Sequence, residues 1–323
     1  MSSRILFMGT PHFAVPTLEA LHHQGYQIVG VVCQPDKPAG RGQKLAVPPV
    51  KQKAVELGIP IWQPEKLRNN DDFLREMEAL KPDLGIVIAY GKLLPTSILD
   101  LPLHGCLNLH ASLLPKYRGA APIEWALIRG ESETGVTLMQ MDAGLDTGGM
   151  IAKTSCAIAP TDNAKTLADK LSALSAQLAV STIPQWLAGK LVAEKQDDTQ
   201  ATLAPLLNKG NGQIPWRESA LTIEHLIRGV CIRPGAHTHL RGTPVKLRTA
   251  QAMDTPCDET PGTILNLTKD GWAVATGDRV LLIKDIQLPG KAFQTTADVA
   301  RGWRELKAGD RFTCETSPVC EEP

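Results

Sequence analysis

Short apolar runs alternate with helically spaced segments up to about residue 190, and this alternation constrains the fold more than any other feature of the chain. The runs at 4–8, 28–33, 84–89, Cys106–His110 and 136–141 read as buried strands. Between them, 17–23, 50–57, 71–80 and 123–128 carry helical spacing. Strands separated by helices predict an α/β fold built on a doubly wound, mainly parallel, Rossmann-like sheet. Sheets of this kind bind ligands at their carboxyl ends, and His110 with the turn 112–115 falls at such an end.

A different pattern follows the helical stretch 163–187. Residues 190–208 are polar without firm periodicity and read as a linker. Beyond them come closely spaced strands at 245–252, 262–267, 272–276 and 280–288, joined by Lys269-Asp270-Gly271 and Gly277-Asp278 turns. Helices at 218–228 and 296–306 flank them, which predicts a smaller, OB-like β-barrel domain. The expected organisation is a catalytic domain over 1–189, a linker over 190–208, a barrel domain over 209–312 and a tail over 313–323. A length of 323 residues favours two such domains over one core.

Lys plus Arg and Asp plus Glu balance at 34 each, so a polyanionic partner must be held by local patches and not by net charge. The apolar run after Arg4 breaks at Gly9-Thr10-Pro11, too short for a secretion signal or a membrane span, and the expectation is a cytoplasmic protein. The seven cysteines show no Cys-x-x-Cys spacing, which disfavours zinc and redox chemistry. No metal site is expected. His22, His23, His237 and His239 are expected at surface positions.

Two basic features stand out. The segment 34–49 is rich in breakers and carries three cations, Lys37, Arg41 and Lys44, against one acid, Asp36. It reads as a long loop, either a solvated connector or a surface that touches a polyanion. The stretch 226–253 holds Arg228, Arg233, Arg241, Lys246 and Arg248 and no acid, either a solvated face or one wall of a phosphate-binding groove.

Asn108 and His110 are two residues apart on one strand, so both side chains share a face. Either alone reads as a hydrogen-bonded structural residue; two polar groups on an otherwise apolar strand must be satisfied or used. Asp146 lies among Gly144, Gly148 and Gly149, where an Asx turn is the plain interpretation. Brought near His110, it could orient the imidazole and take a proton from an attacking amine. No Gly-x-Ser-x-Gly, His-Glu-x-x-His or Walker loop competes, and Pro11 in the first turn disfavours a dinucleotide. An amide, an imidazole and a carboxylate without a cysteine or serine nucleophile suit acyl transfer by positioning and hydrogen bonding.

These residues carry a resemblance. Gly9-Thr10-Pro11 with Phe13, the loop Gln34-Pro35-Asp36-Lys37-Pro38-Ala39-Gly40-Arg41-Gly42, the run from Asn108 to Pro115 continuing into Arg118-Gly119-Ala120-Ala121-Pro122-Ile123, and Glu133-Thr134-Gly135-Val136-Thr137 with Met139 to Asp146 resemble the methionyl-tRNA formyltransferase family. The resemblance covers essentially the whole chain. It implies formyl transfer from 10-formyltetrahydrofolate to the α-amino group of methionyl initiator tRNA by direct attack through a tetrahedral intermediate. It also implies Asn108, His110 and Asp146 as the catalytic set, and Ser112, Leu113, Leu114 and Pro115 as the folate-lining turn. Ala89, Tyr90, Gly91 and Asp142 become neighbours of the pterin, and Lys37, Arg41, Lys44 and Arg304 contacts to tRNA.

The chain departs from the family where Cys231-Ile232-Arg233-Pro234-Gly235-Ala236 replaces an aromatic turn, and where Gly210-Asn211-Gly212-Gln213 replaces a more charged connector. The alternatives are a formyltransferase acting on a small amine and a non-catalytic RNA-binding protein. A monomer is expected, since no apolar surface helix asks for a partner.

Overall fold

The computed structural model describes residues 3–39 and 44–314. It divides into two compact units: one runs to Pro122 and takes in Glu133–Ala157 and Leu167–Pro205, and the other holds Ile123–Ser132, Ile158–Thr166 and the chain from Leu206.

The first unit is built on strands β1 (Arg4–Gly9), β2 (Gln27–Val32), β5 (Ile61–Trp62), β6 (Leu84–Ile88), β7 (Cys106–His110), β8 (Glu133–Gln140) and β9 (Met150–Ala157), ordered β5-β2-β1-β6-β7-β8-β9. The pairs from β5 to β7 are parallel and those of β8 with β7 and with β9 antiparallel, so the sheet is mainly parallel as expected. Continuous burial of β6 and β7 explains why β6 reads as an unbroken apolar run and β7 as one interrupted only by Asn108 and His110. β9, absent from the sequence reading, sits at the sheet edge and is only half covered, so lysine, threonine and serine dilute its apolar signal.

Helices α1 (Val15–His23), α2 (Pro49–Glu56), α3 (Asp71–Ala79) and α4 (Thr96–Leu99) lie between the parallel strands in the chain. α3 starts where the Asn70 side chain accepts from Phe73 N, and it buries Phe73 and Met77 in a core with Leu6, Val32 and Tyr90. Part of the expected loop 34–49 is a short hairpin, β3 (Lys37–Ala39) with β4 (Lys44–Ala46). α5 (Pro122–Ile128) follows β7, and the long α6 (Ala164–Leu187) fixes itself by a Ser172 hydroxyl bond to the Phe13 carbonyl.

In the second unit, β10 (Ala236–Leu240), β11 (Thr243–Pro256), β12 (Ile264–Leu267), β13 (Trp272–Ala275), β14 (Arg279–Gln287) and β16 (Phe312–Thr313) form an antiparallel sheet in the order β12-β13-β14-β11-β10-β16, with β15 (Gln294–Thr295) on β14. Register shifts along β11 bend the sheet. Its end strands then meet: Ile264 N donates to Asp310 O, and Phe312 N donates to Gly262 O. That closure makes the expected OB-like barrel and removes exposed edges. Trp216 stacks on Phe312 at 5.0 Å inside it, and α7 (Ala220–Gly229) and α8 (Thr296–Gly302) stand in the expected helical regions.

β10 was not foreseen. It places His237 and His239 at half-buried positions and leaves Nδ1 of His239 buried without a partner among the described residues, which corrects the surface assignment. Thr313, assigned by sequence to the tail, pairs in β16; the remainder of the tail from 315 lies outside the described residues. No described helix is long and apolar enough to cross a membrane.

Candidate active site

Strand β7 puts Asn108 and His110 on one face, 9% and 6% exposed. His110 Nε2 lies 2.9 Å from the main-chain oxygen of Tyr117. A carbonyl only accepts, so Nε2 carries the proton of the neutral ring and Nδ1 is left for the site. Nδ1 stands 3.7 Å from Asp146 Oδ2. Among the described residues no protein group holds the Asn108 amide, so its donors remain available to a bound oxygen.

Asp146 lies between β8 and β9 with φ 55, a left-handed backbone rarely adopted by residues other than glycine. Three hydrogen bonds hold the loop: Gly119 N donates to Asp146 Oδ2 at 2.8 Å, and Gln196 Nε2 donates to the carbonyls of Asp146 and Gly148, each at 2.8 Å. The Asx turn that sequence suggested for Asp146 belongs to Asp142, whose carboxylate accepts from Gly144 N at 3.0 Å and from the Thr147 hydroxyl at 2.7 Å. A side chain at Gly148 would run into the Gln140 carbonyl oxygen.

Of the expected folate residues, Ser112 is fully buried, and its hydroxyl donates to the Lys116 carbonyl at 2.6 Å. Thr137 closes the same turn by donating to Ser112 O and accepting from Leu114 N. Leu114 is buried, Leu113 and Pro115 half-buried. After β6, Ala89 and Gly91 are exposed with φ 46 and 86, leaving bare main chain next to the carboxyl end of β7. This combination of uncovered main chain and an apolar turn fits a flat, hydrogen-bonding ring. The Tyr90 ring instead points into the core, its carbonyl accepts from the Thr10 hydroxyl at 3.0 Å and from Gln34 Nε2 at 3.2 Å, and burial pushes its hydroxyl pKa up to about 12.

Lys37 is exposed on β3, and Arg304 is exposed just after α8. Arg41 and the Lys44 side chain lie outside what is described. Near Lys37, Lys92 is held by the carbonyls of Pro64 and Glu65; burial, then the charge of Lys37, lowers its pKa. The acid-free stretch 226–253 meets acids through the fold. Arg228 approaches Glu224 and donates to the Asp162 carbonyl, Arg241 pairs with Asp310 at 3.0 Å, and Arg248 pairs with Asp285 while lying over Phe293. Three of its five cations are therefore compensated, whereas Arg233 and Lys246 are exposed and meet no acid among the described residues. The described cysteines are free thiols, and no described cluster of three or more His, Cys, Asp or Glu side chains could hold a metal.

The formyl transferase family profile matches residues 3–183, and that of its C-terminal domain matches 206–304. A methionyl-tRNA formyltransferase of Geobacter sulfurreducens is 48% identical over 310 residues, 96% of both chains. The chain belongs to the methionyl-tRNA formyltransferase family. A second relative of that name, from Caldanaerobacter subterraneus subsp. tengcongensis, is 49% identical over 287 residues, 89% of this chain and 93% of that one. The crystal structure of HypX from Aquifex aeolicus in complex with tetrahydrofolic acid superposes with a TM-score of 0.61 at 17% identity, over 93% of this chain and 47% of that one. At that identity the likeness is one of fold, and this chain spans about half of HypX.

Sequence reasoning missed Gln196, which it left in a linker, and the carbonyl of Tyr117. Neither contributes a periodic or compositional signal, since one is a polar residue in an aperiodic stretch and the other acts through its backbone.

Proposed function

We propose that this chain transfers the formyl group of 10-formyltetrahydrofolate to the α-amino group of methionyl initiator tRNA, giving N-formylmethionyl-tRNA. One observation carries the chemistry: the Asp146 carboxylate stands 3.7 Å from His110 Nδ1, on the strand face that also bears the Asn108 amide. The neutral amine attacks the formyl carbon, and the carbonyl oxygen gains charge. The Asn108 amide and Nδ1–H of the protonated His110 ring donate to that oxygen. Asp146 takes the ammonium proton, directly or through one water. Collapse breaks the bond to the folate nitrogen, which is reprotonated as tetrahydrofolate leaves. No covalent enzyme intermediate is needed.

In this reading Ser112, Leu113, Leu114 and Pro115 border the folate, with Asp142 and the segment of Ala89, Tyr90 and Gly91 near the pterin; Tyr90 contributes through its backbone. Lys37, Arg41, Lys44 and Arg304 approach the tRNA. Catalysis resides in 1–189, tRNA binding in the barrel 209–312, with 190–208 between them and 313–323 as a tail. The enzyme acts as a cytoplasmic monomer.

Incubation with methionine-charged initiator tRNA and 10-formyltetrahydrofolate tests the proposal, with formyl-methionyl-tRNA as the expected product. Formylation of small amines alone, or tight tRNA binding with no product, would replace it.

A further inference from the structure

Two halves of the proposed catalytic pair are held by one strap, the segment just after α6, and every contact lies within the first unit. The strap joins β9 by exchanged main-chain bonds between Glu194 and Met150 at 2.7 and 2.8 Å. Gln196 follows, 4% exposed and pointing inward. Both donors of its amide are used, on the carbonyls of Asp146 and Gly148, and its oxygen accepts Nε and Nη2 of Arg118 at 3.0 and 2.8 Å. Four bonds exhaust what a glutamine amide can make. Arg118 is itself buried and anchored outward on Asp198 at 2.7 Å.

Thr202 holds the other half. Its hydroxyl accepts Tyr117 N at 2.9 Å, its carbonyl accepts Arg118 N at 2.8 Å, and Tyr117 O is the group that engages His110 Nε2. Gln196 thus grips the backbone of the residue bearing the carboxylate, and Thr202 the peptide that orients the imidazole. The left-handed backbone of Asp146 carries a modest conformational cost, which the hydrogen bonds from Gln196 offset.

We infer that Gln196 is a positioning residue for formyl transfer: it sets the distance from Asp146 to His110 without touching substrate. The inference rests on the roles proposed for that pair. Gln196→Glu is the selective probe, because the carboxylate keeps the Arg118 contact while replacing the amide nitrogen, with its two donors, by a single oxygen that repels the Asp146 and Gly148 carbonyls. The expected result is a kcat per folded enzyme for tRNA formylation lower by on the order of a hundredfold, with KM for both substrates within about twofold of wild type; the buried charge lowers the unfolding temperature as well, so kcat per folded enzyme is the deciding readout. A group that serves only to stabilise the fold would lower the unfolding temperature and leave kcat per folded enzyme unchanged.

Asp146→Ala is assayed alongside. If it is inactive while Gln196→Glu turns over like wild type, the positioning role is wrong and the proposed chemistry stands; if Asp146→Ala turns over like wild type, both fall. Should Gln196→Glu not fold, Gln196→Met, which removes both donors to the Asp146 loop without burying a charge, carries the test. A kcat loss at unchanged KM supports the positioning role, and wild-type kcat overturns it.

Discussion

Asp146 faces His110 with the same oxygen, Oδ2, that accepts the Gly119 amide. The carboxylate is therefore held by a main-chain donor at a position where only glycine fits, since Gly119 has φ 128 and a side chain there would meet the Ala204 carbonyl, and that donor remains when the charge on residue 146 is removed.

Asp146→Asn separates charge from geometry. The amide oxygen can accept from Gly119 as the carboxylate does, so the variant should fold and bind both substrates, yet lose the proton acceptor. Turnover is expected to fall on the order of a hundredfold or more. Asn108→Ala and His110→Ala should each raise the barrier by roughly 3–4 kcal/mol, the cost of one oxyanion donor. Steady-state formylation assays with thermal unfolding as the folding control check all three; wild-type rates would remove the assigned roles.

Gly148→Ala tests the loop behind the carboxylate. The added methyl meets the Gln140 carbonyl oxygen, which belongs to β8 and cannot move aside cheaply. The variant should lose about 1–3 kcal/mol of stability together with turnover, because the displaced backbone carries Asp146 with it. Chemical unfolding and kcat measured on one preparation decide the matter. Full stability would mean that the loop adapts.

Tyr90 predicts an alkaline stability profile. Burial holds its hydroxyl at about 12 against an ordinary 10.0, and burial likewise lifts the Cys33 thiol to about 11 and the Cys106 thiol to about 12 from 9.0. In each case the folded state keeps the proton longer than the unfolded chain, so the contribution is complete below the ordinary value and is lost as pH rises through the folded one. Stability should decline from about pH 9 towards 12. Among the described residues the Tyr90 hydroxyl has no partner, so Tyr90→Phe should be neutral or stabilising by up to about 1 kcal/mol and should flatten the decline above pH 10. Denaturant titrations across this range check it, and a decline above pH 10 as steep in Tyr90→Phe as in the wild type would overturn the assignment.

Lys37 is expected to contribute to tRNA binding through counterion release. Affinity for initiator tRNA should fall steeply with salt, and Lys37→Ala should reduce the slope of log affinity against log salt by roughly 0.7–0.9, one phosphate contact. Filter binding over a range of salt concentrations measures this. An unchanged slope would place Lys37 off the tRNA path.

Much of the architecture was legible because its signals are local. The fully buried strand β6 is apolar throughout, β7 is apolar apart from Asn108 and His110, and glycine turns mark the barrel hairpins. β5 was hidden by its two-residue length, β9 by its polar edge, and β10 by the histidines that alternate with its buried positions. The acids that pair with the basic stretch 226–253 were hidden for a related reason: Asp285 and Asp310 come from distant parts of the chain.

By itself the sequence determined that Asn108 and His110 share a strand face, because side-chain direction along a strand follows a period of two and requires nothing from the rest of the molecule. Only the tertiary structure decided that Asp146 reaches the imidazole, that the Tyr117 carbonyl selects which ring nitrogen is free, and that Gln196 locks the loop. Those relations depend on a left-handed backbone and on hydrogen bonds to main-chain atoms, and main-chain atoms are the same in every residue.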